Sequence, residues 1–357
     1  MNVPQTALTQ RLSELGERIR PGNRIWIIPH DYPDPDALAS ACAVHLLLDK
    51  VFGAKSEIVF SGSVSRAENK ELLRRIRYSW RRVPLVSPPR REVDCVLVDT
   101  VPWASNVTIP PYVKPVAVFD HHDHVRKAPT DLFMDVRSGT GATTTIVHEY
   151  LKTAGVEIPS WLAAIMAYAI SSETLDMSRE FNRQDIYAYL DLAARADLSL
   201  IGKIRHAPLP RVYYAHLQEA LANARLTGRM VYSHLSRIEQ PEIVAEVADL
   251  LLRMEGPRWA FCTAYLNGGM FVSIRSSARN AKCSKILRAV MGKKGSSGGH
   301  DSMAAGYMDM SMYGPEEKEE RRQVLLKGLI RRILKKPASD PLSAELGAEL
   351  LVDVDPS

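Results

Sequence analysis

Short apolar runs alternate with amphipathic stretches through the first half of this chain, and that alternation admits few architectures. The runs lie at 24–29, 57–60, 94–98 and 115–119. Apolar residues at helical spacing mark 5–20 (Leu8, Leu12, Leu15, Ile19), 36–52, 66–78, 141–154, 159–171 and 183–195. Strand and helix in alternation predict an α/β fold with a doubly wound, mostly parallel sheet. A second block follows a connecting helix over 209–224 and Gly228. Strands are expected there at 229–236 and 259–275, and helices at 241–254, 281–291 and 315–335. The expected organisation is a sheet domain over 1–196, a helical linker over 197–228, a smaller α/β domain over 229–336 and a partly loose tail over 337–357.

Bulk properties narrow the function classes. With 46% hydrophobic and 24% charged residues in 357, the chain can bury a real core. A net charge of +5 is too small for a polycationic nucleic-acid coat and suits small anionic substrates. No apolar run approaches the roughly 18 residues of a membrane span, and no charged-then-apolar leader opens the sequence, so a cytoplasmic protein without a membrane partner is expected. Cys42, Cys95, Cys262 and Cys283 form no CxxC pair and read as reduced thiols.

Chemistry gathers where the apolar runs stop. The first run leads into His30-Asp-Tyr-Pro-Asp-Pro-Asp36, the third into Asp99, and the fourth into Asp120, His121 and His122, followed by Asp123 and His124. The segment Met166–Glu173 reads as a further such end, bringing Glu173, with Asp176 three residues on. A parallel sheet collects its strand ends on one edge. Carboxylates crowded there repel one another, and a pair of divalent cations relieves the conflict. Mixed carboxylate and imidazole donors favour Mn²⁺, with Mg²⁺ or Co²⁺ as alternatives. Two such ions about 3.5–4 Å apart form a clamp for in-line phosphoryl displacement, so phosphoester hydrolysis is expected. Asp36 has a plainer reading as the cap of helix 36–52. Farther on, Gly298-Gly299-His300 follows a strand ending at Arg275. Glycines let backbone N–H groups approach an anion, and His300 and Arg275 can donate to it. Gly141-Ala-Thr-Thr-Thr145 is expected to cap a helix start with its hydroxyls.

Taken together these motifs resemble the DHH phosphoesterase superfamily, and within it the oligoribonuclease and 3′-phosphoadenosine-5′-phosphate (pAp) phosphatase branch. His30 to Ser40 matches the first motif, Val98-Asp99-Thr100 the second, Asp120-His121-His122 the third, and Ala169 to Thr174 the fourth. Gly298-Gly299-His300 with Ala304-Ala305-Gly306 matches the glycine signature of the C-terminal substrate-binding domain. The resemblance covers about 24–310. It implies one ion held by His30, Asp34 and Asp99, and a second held by Asp36, Asp99, His121 and Glu173, with Asp176 as the alternative acid. Asp99 would bridge, Asp120 would orient an imidazole, and His122 would face the scissile phosphate. Arg275, Gly298, Gly299 and His300 would present substrate at a cleft between the domains.

The implied activity is two-Mn²⁺ hydrolysis of short single-stranded RNA to mononucleotides, with pAp as a further substrate, by in-line attack of a metal-bridging hydroxide. A homodimer stays open. The alternative enzyme is a cyclic- or linear-dinucleotide phosphodiesterase. The alternative of another class is a catalytically weak nucleotide sensor. It draws on two departures from the family pattern, Pro35 for the usual Gly and Glu173 for the usual Asp; Ser297 is a third departure. The basic runs near 74–91 and 321–336 read as solvated faces. No interleaved aromatics suggest a long single-strand groove.

Overall fold

The run Arg24–Pro29 forms β1, a central strand of a six-stranded sheet in the computed structural model, which describes residues 5–19, 22, 24–83, 92–123, 129–299, 301–334 and 349–350. The remaining strands of this sheet are β2 (Lys55–Phe60), β3 (Trp80–Arg82), β4 (Val93–Val98), β5 (Val113–Asp120) and β6 (Phe133–Val136). Their order is β3-β2-β1-β4-β5-β6, and every neighbouring pair is parallel. The chain therefore steps outward from β1 to β3, returns to β4 and leaves in the opposite direction. Strand order reverses between β1 and β4. Sheets of this kind hold their ligands outside the strand C-termini at such a reversal.

The central strands are apolar at nearly every position because both faces are covered. On one face Ile25 and Ile27 join a core with α1 (Gln5–Arg18), α2 (Pro35–Phe52), α4 (Thr143–Thr153) and α5 (Ser160–Glu173), which includes Leu15, Leu38, Leu47, Tyr150 and Leu162. α3 (Ala67–Arg75), α6 (Arg183–Ala193) and α7 (Leu198–Arg205) add Leu72, Leu192 and Ile204 to that core. On the other face Trp26, Ile28, Cys95 and Leu97 pack with Trp103, Val107, Ile109 and Tyr112 of the loop between β4 and β5. The edge strands β3 and β6 carry no long apolar run, and so gave no signal in the sequence.

The chain divides into two compact units, Met1–Pro208 and Leu209–Ser357. The stretch expected as a linker is shared between them: α7 packs on α5 and α3, whereas α8 (Arg211–Ala222) packs on β8. The second unit adds β7 (Arg225–Thr227), β8 (Met230–Leu235), α9 (Glu242–Leu252), β9 (Trp259–Leu266), β10 (Gly269–Ser276), α10 (Cys283–Met291), β11 (Ser296–Gly299), β12 (Met303–Asp309), α11 (Pro315–Leu334) and β13 (Glu349–Leu350). Its sheet runs β11-β12-β10-β9-β8-β7-β13, antiparallel except for β8 beside β9. The single strand expected over 259–275 is a hairpin. Asn267 and Gly268 both take positive φ, 48° and 82°, as a two-residue turn between β9 and β10 requires. Strand β13 lies within the expected tail and pairs with β7. All four cysteines are buried free thiols, and no helix among the described residues is long and apolar enough to cross a membrane.

Candidate metal centre

At the end of β1, His30 points its Nε2 toward two carboxylates, 3.5 Å from Asp99 Oδ2 and 3.8 Å from Asp34 Oδ1. Its other nitrogen, Nδ1, donates to the Asp31 carbonyl at 2.8 Å. From the end of β5, His121 brings Nε2 to 3.5 Å from Asp99 Oδ1 while Nδ1 donates to the Thr140 carbonyl at 3.1 Å. Each backbone acceptor fixes the tautomer that leaves a lone pair on Nε2, the arrangement of metal-binding histidines. His122 Nδ1 lies 3.6 Å from Asp99 Oδ1. Two groups of potential donors result, His30 with Asp34 and Asp99, and Asp99 with His121 and His122. Asp99 belongs to both.

Asp99 reaches this position through an unusual backbone. It stands directly after β4 with φ +59°, a left-handed conformation that side chains other than glycine seldom adopt. Its N–H donates to Phe119 O at 2.8 Å, which ties the ends of β4 and β5 together. The Thr143 hydroxyl donates to Asp99 Oδ1 at 2.9 Å in a fully buried contact. Backbone strain of this kind persists where surrounding structure over-determines it, commonly at functional sites.

The two first-motif aspartates have different local work. Asp34 is the N-cap of α2, its Oδ1 accepting from Ala37 N at 3.0 Å. The capping reading given to Asp36 is therefore corrected: Asp34 caps α2. Asp36 instead accepts the Thr143 and Thr144 N–H groups at 2.7 and 2.9 Å, so it caps the neighbouring helix α4. Pro35 falls at the first position of α2, where its missing N–H costs nothing and its fixed φ suits the helix. The stiff residue that departs from the family pattern thus fits the fold. The threonines also differ from expectation. Rather than capping their own helix, Thr143 donates to Asp99, Thr144 shares a hydrogen bond with Ser40 at 3.1 Å, and Thr145 donates to Asp185 at 2.6 Å.

The electrostatics fit a cation. Burial, then the Asp99 charge, pushes the Asp36 carboxyl up to about 8. Burial and the charge of Asp34 likewise raise Glu173, against the opposing Arg179. Carboxyls this crowded retain protons unless a cation neutralises them. Asp34 goes the other way: burial opposes ionisation, but His30 holds its carboxyl well below the usual range. For His122, burial works against the charge, yet the Asp120 hydrogen bond and then Asp99 prevail and raise it to about 9. Asp120 is fully buried and accepts both the His122 Nδ1–H, at 2.8 Å, and the His122 backbone N–H, at 3.1 Å. The imidazole that Asp120 orients is thus His122.

Glu173 is the last residue of α5, so the fourth motif stands on a helix end, which corrects its reading as a strand end. Its charge acts on Asp36, His121 and His122, and Arg179 Nη2 holds its Oε1 at 2.7 Å. Asp176 turns elsewhere. It is exposed, lies in a run of left-handed residues from Leu175 to Met177, and pairs with Arg205 at 3.2 Å. Of the two acids proposed for the fourth motif, Glu173 is the one coupled to the cluster.

In the second unit the glycine segment is a strand. Gly298 and Gly299 pair in β11 with Ala305 and Ala304 of β12. A Cβ on Gly299 would stand 2.3 Å from Met303 O, and its φ of 138° excludes other residues, so close backbone approach explains this glycine. His300 lies outside the described residues. The expectation that Arg275 donates to an anion is narrowed by its partners. Its Nε is held by Asp249, and its Nη1 donates to Ser273 Oγ at 2.8 Å and to Ile274 O at 3.2 Å. Only Nη2 lacks a partner among the described residues.

Sequence reasoning overlooked Thr143 on Asp99, Arg179 on Glu173, and Asp185. Buried Asp185 accepts from Gly141 N, Asn182 N and Thr145 Oγ1. The capping box Asn182 to Asp185 was a usable signal for it.

No family model matches the chain. It is similar to an uncharacterized protein of Methanocaldococcus jannaschii, 27% identical over 318 residues, a match spanning 87% of this chain and 63% of the relative. It is also similar to a probable manganese-dependent inorganic pyrophosphatase of Enterococcus faecalis, 30% identical over 182 residues, spanning 50% of this chain and 58% of the relative. The chain thus spans less than two thirds of either relative's length. Among solved structures, an exopolyphosphatase-related protein from Bacteroides fragilis superposes with a TM-score of 0.67 at 14% identity, over 92% of this chain and 98% of that one. This chain shares its two-unit α/β fold.

Proposed function

We propose that this chain is a metal-dependent phosphoesterase of the DHH superfamily, with short RNA oligonucleotides and pAp as its substrates. One observation carries the reading: Asp99, held in a left-handed conformation where strand order reverses, belongs to two donor groups at once. His30 and Asp34 would complete one group, and His121 the other, with Asp36 and Glu173 behind it. Divalent ions there, of which Mn²⁺ suits the donors best, would neutralise the carboxylates and polarise water and phosphoryl oxygens. The protein's own groups divide the remaining work. Asp120 fixes the His122 ring, and the charged imidazole can donate to a phosphoryl oxygen or protonate a departing alkoxide. Thr143 holds the shared carboxylate in place. The fit of Pro35 in α2 and the coupling of Glu173 to the cluster support an intact site over a weakened sensor.

The similarity to a protein named for pyrophosphate hydrolysis favours inorganic pyrophosphate as a second reading. Product analysis with Mn²⁺ separates the two, using RNA dimers to pentamers, pAp, cyclic dinucleotides and pyrophosphate. Mononucleotides from RNA and AMP from pAp are expected. Turnover of pyrophosphate alone selects the second reading, of cyclic dinucleotides alone the phosphodiesterase alternative. No turnover of any of them ends the hydrolase assignment.

A further inference from the structure

A cavity of about 340 Å³ opens in the second unit, on the face of the sheet covered by α11. Asn223, Arg225, Tyr232, His234, Arg322 and Gln323 line it, over a floor that includes Leu326. It lies at the β7–β8 side of the sheet, and the glycine strand β11 is at the opposite edge. None of the lining residues is acidic. From this geometry we infer a binding site for a phosphate monoester of mononucleotide size, separate from the candidate metal centre.

Unused donors make the argument. Arg225 Nη1 donates to the carbonyls of Ala222 and Ala224, at 3.3 and 2.8 Å, which fixes the side chain and leaves Nε and Nη2 without partners among the described residues. Arg322 engages Glu319, one turn earlier on α11, through Nε and Nη2, so Nη1 is left. The guanidiniums are thus held in place before any ligand arrives, and each keeps donors for an anion. Tyr232 lines the cavity as well, and its hydroxyl makes no hydrogen bond to the described residues, so it is free to meet a ligand oxygen. The ring stacks on Phe261 with centroids 5.1 Å apart, so the phenol cannot swing away freely.

The neighbouring His234 adds a polar ring to the lining. Burial, then the Arg322 charge, depresses its imidazole to about 4, and Nδ1 shares a hydrogen bond with Thr263 Oγ1 at 2.9 Å. The ring is therefore neutral at pH 7 and offers polar contact without a competing charge. The volume falls at the lower end of the roughly 300–1,000 Å³ typical of small-molecule pockets. The arginines and phenol suit the phosphate; Leu326, Asn223 and Gln323 suit a small organic body with polar edges.

The test is calorimetric titration of AMP into the full chain in EDTA, which separates this site from any metal-dependent one. One-to-one binding is expected, at least tenfold weaker in Arg225→Ala/Arg322→Ala and several-fold weaker in Tyr232→Phe. The same stoichiometry is expected with Asp99→Asn, whose site is in the other unit. Should the double variant fail to fold, Tyr232→Phe decides alone, because it removes one oxygen. Absence of AMP binding at millimolar concentration overturns the site, as does affinity unchanged by these substitutions. Inorganic phosphate binding as tightly as AMP overturns the monoester assignment.

Discussion

Asp99 combines two features that a purely structural residue would avoid: a left-handed backbone and a carboxylate buried to 2% exposure among other acids. Asparagine tolerates left-handed φ well and carries no charge. Asp99→Asn is therefore expected to fold with a metal-free Tm no lower than that of the parent, while its Mn²⁺ affinity falls at least 100-fold by calorimetry. Retained affinity would remove Asp99 from the centre of the site. His234 gives a residue-scale prediction of a different kind. Its ordinary value is 6.5 and its folded value about 4. Between those values the unfolded chain binds the proton and the folded chain does not. Stability contributed by neutral His234 is thus complete above pH 6.5, declines as pH falls toward 4, and is lost below. The loss is about 3 kcal/mol. Urea unfolding of the parent and His234→Gln across that window should show a steeper acid loss in the parent; parallel curves would mean the imbalance is absent.

Helix α4 shows how one element's start assembles a site. Its first N–H groups point at Asp36 from α2, and its first hydroxyl points at Asp99 from the end of β4. The positive end of the helix favours these carboxylates being ionised. Asp185 clamps the loop before it, and Gly141 in that loop has no room for a Cβ, which would approach Glu180 O and Thr174 Cγ2 to 2.7 Å. Asp185→Ala leaves three donors unpaired in the interior. It should destabilise the protein by about 2–4 kcal/mol in urea unfolding. Because α4 would shift against Asp99, Mn²⁺ affinity should also fall, by roughly tenfold. A change under 0.5 kcal/mol would show that the clamp does not hold this helix.

Across the whole molecule, every donor from His30 to Glu173 belongs to Met1–Pro208, which has its own sheet and core. A fragment spanning 1–208 is expected to fold and to bind Mn²⁺ within about threefold of the full chain, since no donor is removed. The direct check is equilibrium dialysis with Mn²⁺ alongside circular dichroism. A folded fragment that binds no metal would mean that the second unit supplies a ligand. The AMP site inferred in Leu209–Ser357 should be absent from the same fragment.

Much of this was legible in the sequence. Apolar runs and helical periodicity marked the strands β1, β2, β4 and β5 and most helices, because strands buried on both faces must be apolar throughout. The acids and imidazoles after those runs pointed to the candidate site, because a parallel sheet brings its strand ends to one edge. The Asn267-Gly268 turn and the Asn182 cap were also present as local signals, though neither was read. Other features were decided only by the tertiary structure. Asp34 rather than Asp36 caps α2, Asp120 orients His122, Glu173 pairs with Arg179 while Asp176 pairs with Arg205, and Arg275 is tied down by Asp249. Each is a choice among chemically equivalent partners, made by which atoms the packed chain brings within hydrogen-bonding distance. Residue type and spacing carry the chemistry, and three-dimensional packing assigns it to particular atoms.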